Sequence, residues 1–224
     1  MFRTLFVAAA LVTASGMLSA GTITGVCGTG FTDSTCSTLA TSGVDPNWAL
    51  TSAPETTQTS GDAYITGTGA FPFPPWVANT SSAQWISPFA NEGGGRADLV
   101  GTYVYTEVFS LSGYNLATVD LTGMFANDNN AEIILNGVDT TIGHVGLGSF
   151  SSTFNITSGF NAGSNTIQFD VTNTSVSGAG PNPTGLIVEL TGTGTLATVP
   201  EPASFAFIGL GLGALGLLGR RLRS

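Results

Sequence analysis

Few residues in this chain of 224 are equipped for chemistry. Asn127-Asp-Asn-Asn130 sets one carboxylate among amides, oxygens that suit Ca²⁺ or the hydroxyls of a sugar. Asp128, Asn129 and Asn130 are the ligand-binding candidates there, and Asp128 and Asn130 the candidate Ca²⁺ ligands. Their positions do not fit an EF-hand loop, so a cation would need oxygens from other loops. The plainer alternative is an Asx-rich turn whose side chains satisfy local backbone. Trp76, at the end of Phe71-Pro-Phe-Pro-Pro-Trp76, is a candidate platform for stacking on a pyranose ring; the alternative is a loop pinned over a sheet by its aromatics. Trp48 and Trp85 lie in strand-like contexts and are expected in the core.

Catalysis is hard to build from what is present. The chain has no GxSxG nucleophile elbow, HExxH, P-loop or lysine. His144, its one histidine, lies in the glycine-rich run Gly143-His-Val-Gly-Leu-Gly148. A carboxylate pair suited to glycoside hydrolysis arises by chance among so many acids. The expectation is a protein that is not an enzyme, with no catalytic residue and no cofactor beyond Ca²⁺.

Charge narrows the partners. All the acids except Glu201 lie between Gly21 and Val199, where Arg96 is the one basic residue, giving a local charge of −12. Such a surface repels polyanions, so nucleic acid is excluded as a partner. Charged residues make up 8% of the chain, far below the usual quarter.

The basic residues gather at the ends instead. Met-Phe-Arg3, the apolar Leu5–Val12 and small residues up to Gly21 read as a signal peptide over 1–21, entering the Sec machinery and cut after Ala20 or Gly21. At the other end Val199-Pro-Glu-Pro202 precedes an uncharged run, Ala203–Gly219, about 25 Å long as a helix, followed by Arg220, Arg221 and Arg223. Arginines behind an apolar helix stay cytoplasmic. Gly211-Leu-Gly-Ala-Leu-Gly216 fits GxGxxG, but no strand precedes it; it belongs to the helix. The three parts in this order resemble the PEP-CTERM sorting tail of Gram-negative bacteria, over 199–224. The resemblance implies transient anchoring in the inner membrane, cutting near Pro-Glu-Pro by an exosortase, and delivery to the cell surface or the extracellular polysaccharide matrix. A permanent single-span anchor is the alternative. Outside the cytoplasm Cys27 and Cys36, the only cysteines, are expected to form a disulfide.

The elements that must position any site lie in 22–198. Residues 117–125, 150–156 and 167–171 alternate apolar and polar with a period of two, and Leu186, Val188 and Leu190 alternate with Ile187 and Glu189, the pattern of half-buried strands. Thr102–Phe109 is rich in β-branched and aromatic residues. Short strands are also expected at Asp45–Thr51, Asp62–Thr66 and Gln84–Ser87. Asn136-Gly137 predicts a type I′ hairpin, and 161–165 and 181–185 read as loops. No confident helix fits, so an antiparallel β-sandwich or jelly roll is expected. The succession Thr41-Ser-Gly-Val44, Asp45-Pro-Asn-Trp48, Gln84-Trp-Ile-Ser-Pro88, Asn127–Asn130, Leu135-Asn-Gly137, Gly163-Ser-Asn-Thr166, Phe169-Asp-Val-Thr-Asn173 and Asn182-Pro-Thr-Gly185 resembles the galactose-binding-like jelly rolls, across Ser37–Gly194. That fold often binds carbohydrate but does not fix a function. The sequence thus predicts an exported, non-catalytic carbohydrate-binding sandwich with exopolysaccharide as partner. A self-associating matrix protein is the alternative, and a glycan-active enzyme a remote one.

Overall fold

The computed structural model describes residues 19–57, 61–66, 73–92, 96–175, 180–197, 209–213 and 219. The expected signal peptide and sorting tail fall almost wholly outside these; of the expected helix, 209–213 are helical. Among the described residues no helix is long and apolar enough to cross a membrane.

Eleven strands carry the fold: β1 Gly21–Thr22, β2 Gly43–Ser52, β3 Asp62–Ile65, β4 Ile86–Ser87, β5 Gly101–Ser110, β6 Asp120–Asp128, β7 Asn130–Leu135, β8 Val138–Val145, β9 Phe154–Ile156, β10 Ser164–Asn173 and β11 Gly185–Gly194. Every pairing between them is antiparallel. The ladder runs β8-β7-β10-β5-β2-β3-β4-β11-β6-β9, with β1 beside β11. It rolls over at β3 and β4 into two layers. Phe125 of β6 therefore meets Phe169 of β10 edge-on at 5.0 Å, although their strands lie far apart along the ladder. From β5 onward the chain crosses between layers at β6, β7, β9, β10 and β11, the weave of a jelly roll. The expected fold class is observed.

β10 shows why these residues make strands. Asn165, Ile167, Phe169, Val171 and Asn173 are buried, while Thr166, Gln168, Asp170 and Thr172 are half-exposed. A one-residue slip would turn this whole set inside out, so the register is strongly fixed. Asn136 and Gly137 have φ of 52° and 78°, as the predicted hairpin between β7 and β8 requires.

Two expected runs are cut short. Residues 116–118 form a 3₁₀ turn, capped by Asn115 Oδ1, which accepts from Ala117 N–H, so β6 starts only at Asp120. Phe150 is not part of β9. Ser151 occupies the Phe125 position of the ladder instead, donating its N–H to Phe125 O (2.7 Å) and accepting Phe125 N–H on Oγ (3.1 Å).

The loops divide between two poles. The exit pole holds 111–119, 136–137, 157–163 and the end of β11; the opposite pole holds 53–57, 88–92, 96–100, Asn129, 146–153, 174–175 and 180–184. A second apolar cluster of Trp76, Ala83, Trp85, Ala126 and Ile187 lies apart from the main core, on the outer face of β6 and β11.

Candidate binding site

Two of the residues proposed from sequence meet, but inside the protein. Trp76 Nε1–H donates to Asp128 Oδ2 at 2.8 Å. Trp76 is 3% exposed, packed on Trp85 at 4.2 Å between ring centroids and edge-on to Phe73 at 6.0 Å. No ring face is left for a pyranose, and the stacking role is corrected: the aromatics pin the proline-rich segment over β6 and β11. Gly185 makes this possible, since a Cβ there would lie 2.6 Å from Trp76 Cη2.

The Asn127–Asn130 stretch is likewise not an open loop. β6 continues to Asp128 and β7 resumes at Asn130, so Asn129 alone joins the layers. Asn127 and Asp128 are buried. Burial pushes the Asp128 carboxyl up to about 6 against the opposing pull of the Trp76 hydrogen bond. Asn129 Oδ1 accepts from Thr174 N–H (2.8 Å) and from its hydroxyl (2.9 Å), while Asn130 is exposed. Asp128 Oδ2 and Asn129 Oδ1 thus serve the protein's own donors. Among the described residues no three His, Cys, Asp or Glu side chains gather as metal ligands. His144 Nε2 lies 3.0 Å from Ser149 O, its ring edge-on to Phe125.

The disulfide Cys27–Cys36 is formed, and buried carboxyls tie down the loop it closes. Asp45 accepts Gly30 N–H (2.6 Å) on Oδ2 and Asn47 N–H (2.9 Å) on Oδ1. Glu107 Oε1 accepts Cys27 N–H at 2.8 Å, and Trp48 Nε1–H donates to Cys27 O at 3.1 Å. Burial raises Asp45 to about 6 and pushes Glu107 well up.

This loop walls a cleft of about 790 Å³ on the outer side of β6 and β11. Thr22, Thr24, Ser37, Ser82, Thr122 and Thr191 line it with hydroxyls, and Phe31, Met124 and Leu190 supply apolar surface. Glu189 contributes a carboxyl whose Oε1 accepts the Thr80 hydroxyl at 2.6 Å. Hydroxyls beside apolar surface can pair with sugar hydroxyls while covering the C–H faces between them. Sequence reasoning missed this cleft because its residues come from separate segments. The available signal was the outward set of the alternation, Thr122 and Met124 on β6 and Glu189 and Thr191 on β11.

The opposite pole holds another arrangement that the sequence did not announce. Glu92 is fully buried beside Asp98, and burial, then the Asp98 charge, pushes it up to about 10. Arg96 Nε–H donates to Asp98 Oδ1 at 3.1 Å, with its guanidinium over the Phe89 ring at 3.6 Å. Thr184 N–H donates to Asp98 Oδ2 at 3.2 Å, and the Tyr103 hydroxyl donates to Glu55 Oε1. A neutral Glu92 carboxyl next to an ion-paired Asp98 is what this burial favours.

Val199, Pro200, Glu201, Pro202, Arg220, Arg221 and Arg223 lie outside the described residues. Residues 198–224 match the family described as the PEP-CTERM protein-sorting motif. No curated protein matches the chain. Among solved structures, the chain is similar to the family 11 carbohydrate-binding module of the cellulosomal cellulase Lic26A-Cel5E of Clostridium thermocellum. That similarity has 12% identity over 84% of this chain and 94% of that one, with a TM-score of 0.27. It is also similar to the Clostridium thermocellum module in complex with a β-1,3-1,4-mixed-linked tetrasaccharide, at 14% identity over 84% and 96%, with a TM-score of 0.26. The tail is the part of the chain that a family description covers: a protein-sorting motif of the PEP-CTERM type, which directs a secreted protein through an exosortase to the cell surface.

Proposed function

We propose that the protein is held briefly in the inner membrane by the apolar run 203–219, cut free at the motif, and retained outside the cell by a neutral glycan lying in the cleft beside the disulfide. The observation that carries this reading is the cleft's lining, with hydroxyls from both strands and both walls interspersed with apolar side chains and one carboxyl. A body with a local charge of −12 and no lysine has little to offer an anionic polymer. The reading is non-catalytic: among the described residues Glu189 is the one carboxylate lining the cleft, and the His144 ring is engaged with Ser149 O. It requires no metal.

The test is retention of the processed protein on the host's own exopolysaccharide. Thr191→Trp, which fills the cleft, should abolish retention, whereas Val108→Thr, on the outer face of the other layer, should leave it intact. Equal retention of both would remove the cleft from the reading. Assembly with rising concentration and no glycan, seen by light scattering, would favour the self-associating matrix protein instead.

A further inference from the structure

The folded body ends very close to the apolar run, and at one particular pole. Asn115 N–H donates to Thr195 O at 2.8 Å and Ala197 N–H donates to Gly113 O at 2.7 Å, while Thr195 N–H donates to Thr118 Oγ1 at 2.9 Å. These bonds clip the chain to the 111–118 loop as far as Ala197. Residues 198–202 then separate the body from the uncharged run that starts at Ala203. Fully extended, such a tether reaches no more than about 17 Å. The ten-residue strands β5, β10 and β11 span about 33 Å from pole to pole. The body therefore cannot turn over to set its opposite pole on the membrane.

The other end of the chain leaves from the same place. Gly21 of β1 pairs with Gly194 of β11, so the segment before β1 also begins at the exit pole. Charge does not distinguish the poles: Asp120 and Asp139 stand at the exit pole, at the starts of β6 and β8, while at the opposite pole Glu92 is buried and Asp98 is paired with Arg96. Exposed aliphatic side chains occur at both, Val138 and Leu196 at one and Leu99 and Val100 at the other. Tether length is what decides the orientation.

We infer that, while the tail is still attached, the exit pole rests on the phospholipid surface with the opposite pole directed away from it. The inference rests on the proposed membrane-held stage. It makes the loop 111–119, the hairpin 136–137 and the loop 157–163 a lipid-facing surface that is relinquished once the tail is cut.

The test uses the full chain, disulfide closed, in vesicles of phosphatidylethanolamine and phosphatidylglycerol carrying a quencher on the lipid headgroup. A fluorophore is placed at Ser158→Cys (exit pole) or Thr56→Cys (opposite pole). Quenching at Ser158→Cys should exceed that at Thr56→Cys several-fold, and about twenty Gly/Ser residues inserted after Thr198, a flexible coil of about 25 Å, should bring the two close to equality. Flotation of the vesicles separates the failures. A chain that does not float with the vesicles overturns both the membrane-held stage and this orientation, whereas one that floats but is quenched equally at both sites overturns the orientation alone.

Discussion

Trp76 and Asp128 hold one another at the rim of β6, and their pairing sets what substitution there will do. Removing the indole donor with Trp76→Phe leaves a buried carboxyl oxygen without its partner, which should lower stability by about 1–3 kcal/mol. Asp128→Asn keeps an acceptor for Nε1–H and removes a charge that burial disfavours, so at alkaline pH it should melt at or above the parent temperature. Chemical denaturation of both variants checks the pair; an unaltered Trp76→Phe would show the bond to be dispensable. Neither role was legible locally. What covers Trp76 is Gly185, more than a hundred positions along the chain, and nothing in Pro74-Pro75-Trp76 indicates that a bare backbone awaits the ring. Trp48 was easier to place, because its alternating strand context already implied an inward face.

Elements with one buried face were read well from sequence, and those with two were not. β10 alternates cleanly because solvent lies on its outer side. β11 buries Gly185, Leu186, Ile187 and Val188 in succession, since the second apolar cluster covers its outer face at the start, and period-two reasoning assigns Ile187 to the surface. The same crowding makes glycine necessary. Gly185→Ala would place a Cβ 2.6 Å from Trp76 Cη2 and 2.9 Å from Ile86 O, and should cost about 1–3 kcal/mol or more, read as a drop in denaturation midpoint. The disulfide loop is a separate unit, its closure expected from the cysteines' compartment but its anchoring by Asp45 and Glu107 invisible in sequence. Cys27→Ser with Cys36→Ser should lose about 2–3 kcal/mol and weaken glycan retention, because that loop forms one wall of the cleft. Retention that survives the double substitution would place the glycan elsewhere.

Across the whole molecule the buried carboxyls act in the same direction. Asp45 and Asp128 are raised to about 6, Glu92 to about 10 and Glu107 well above its usual range, each chiefly by burial. The native state therefore binds more protons than the unfolded chain from about pH 4 upward, and its stability declines as pH rises through that interval. Melting temperature should be higher near pH 5 than near pH 8, with the aspartates' share of the loss falling between about pH 4 and pH 6 and the glutamates' share continuing above it. A melting temperature flat or rising over that range would show these carboxyls to be solvated. The absence of lysine has a last consequence. Between Gly21 and Val199, proteases that cut after basic residues find Arg96 alone, with its guanidinium laid over Phe89 and its Nε–H bonded to Asp98. This stretch thus offers trypsin-like proteases a single scissile bond, at a side chain already engaged on two sides.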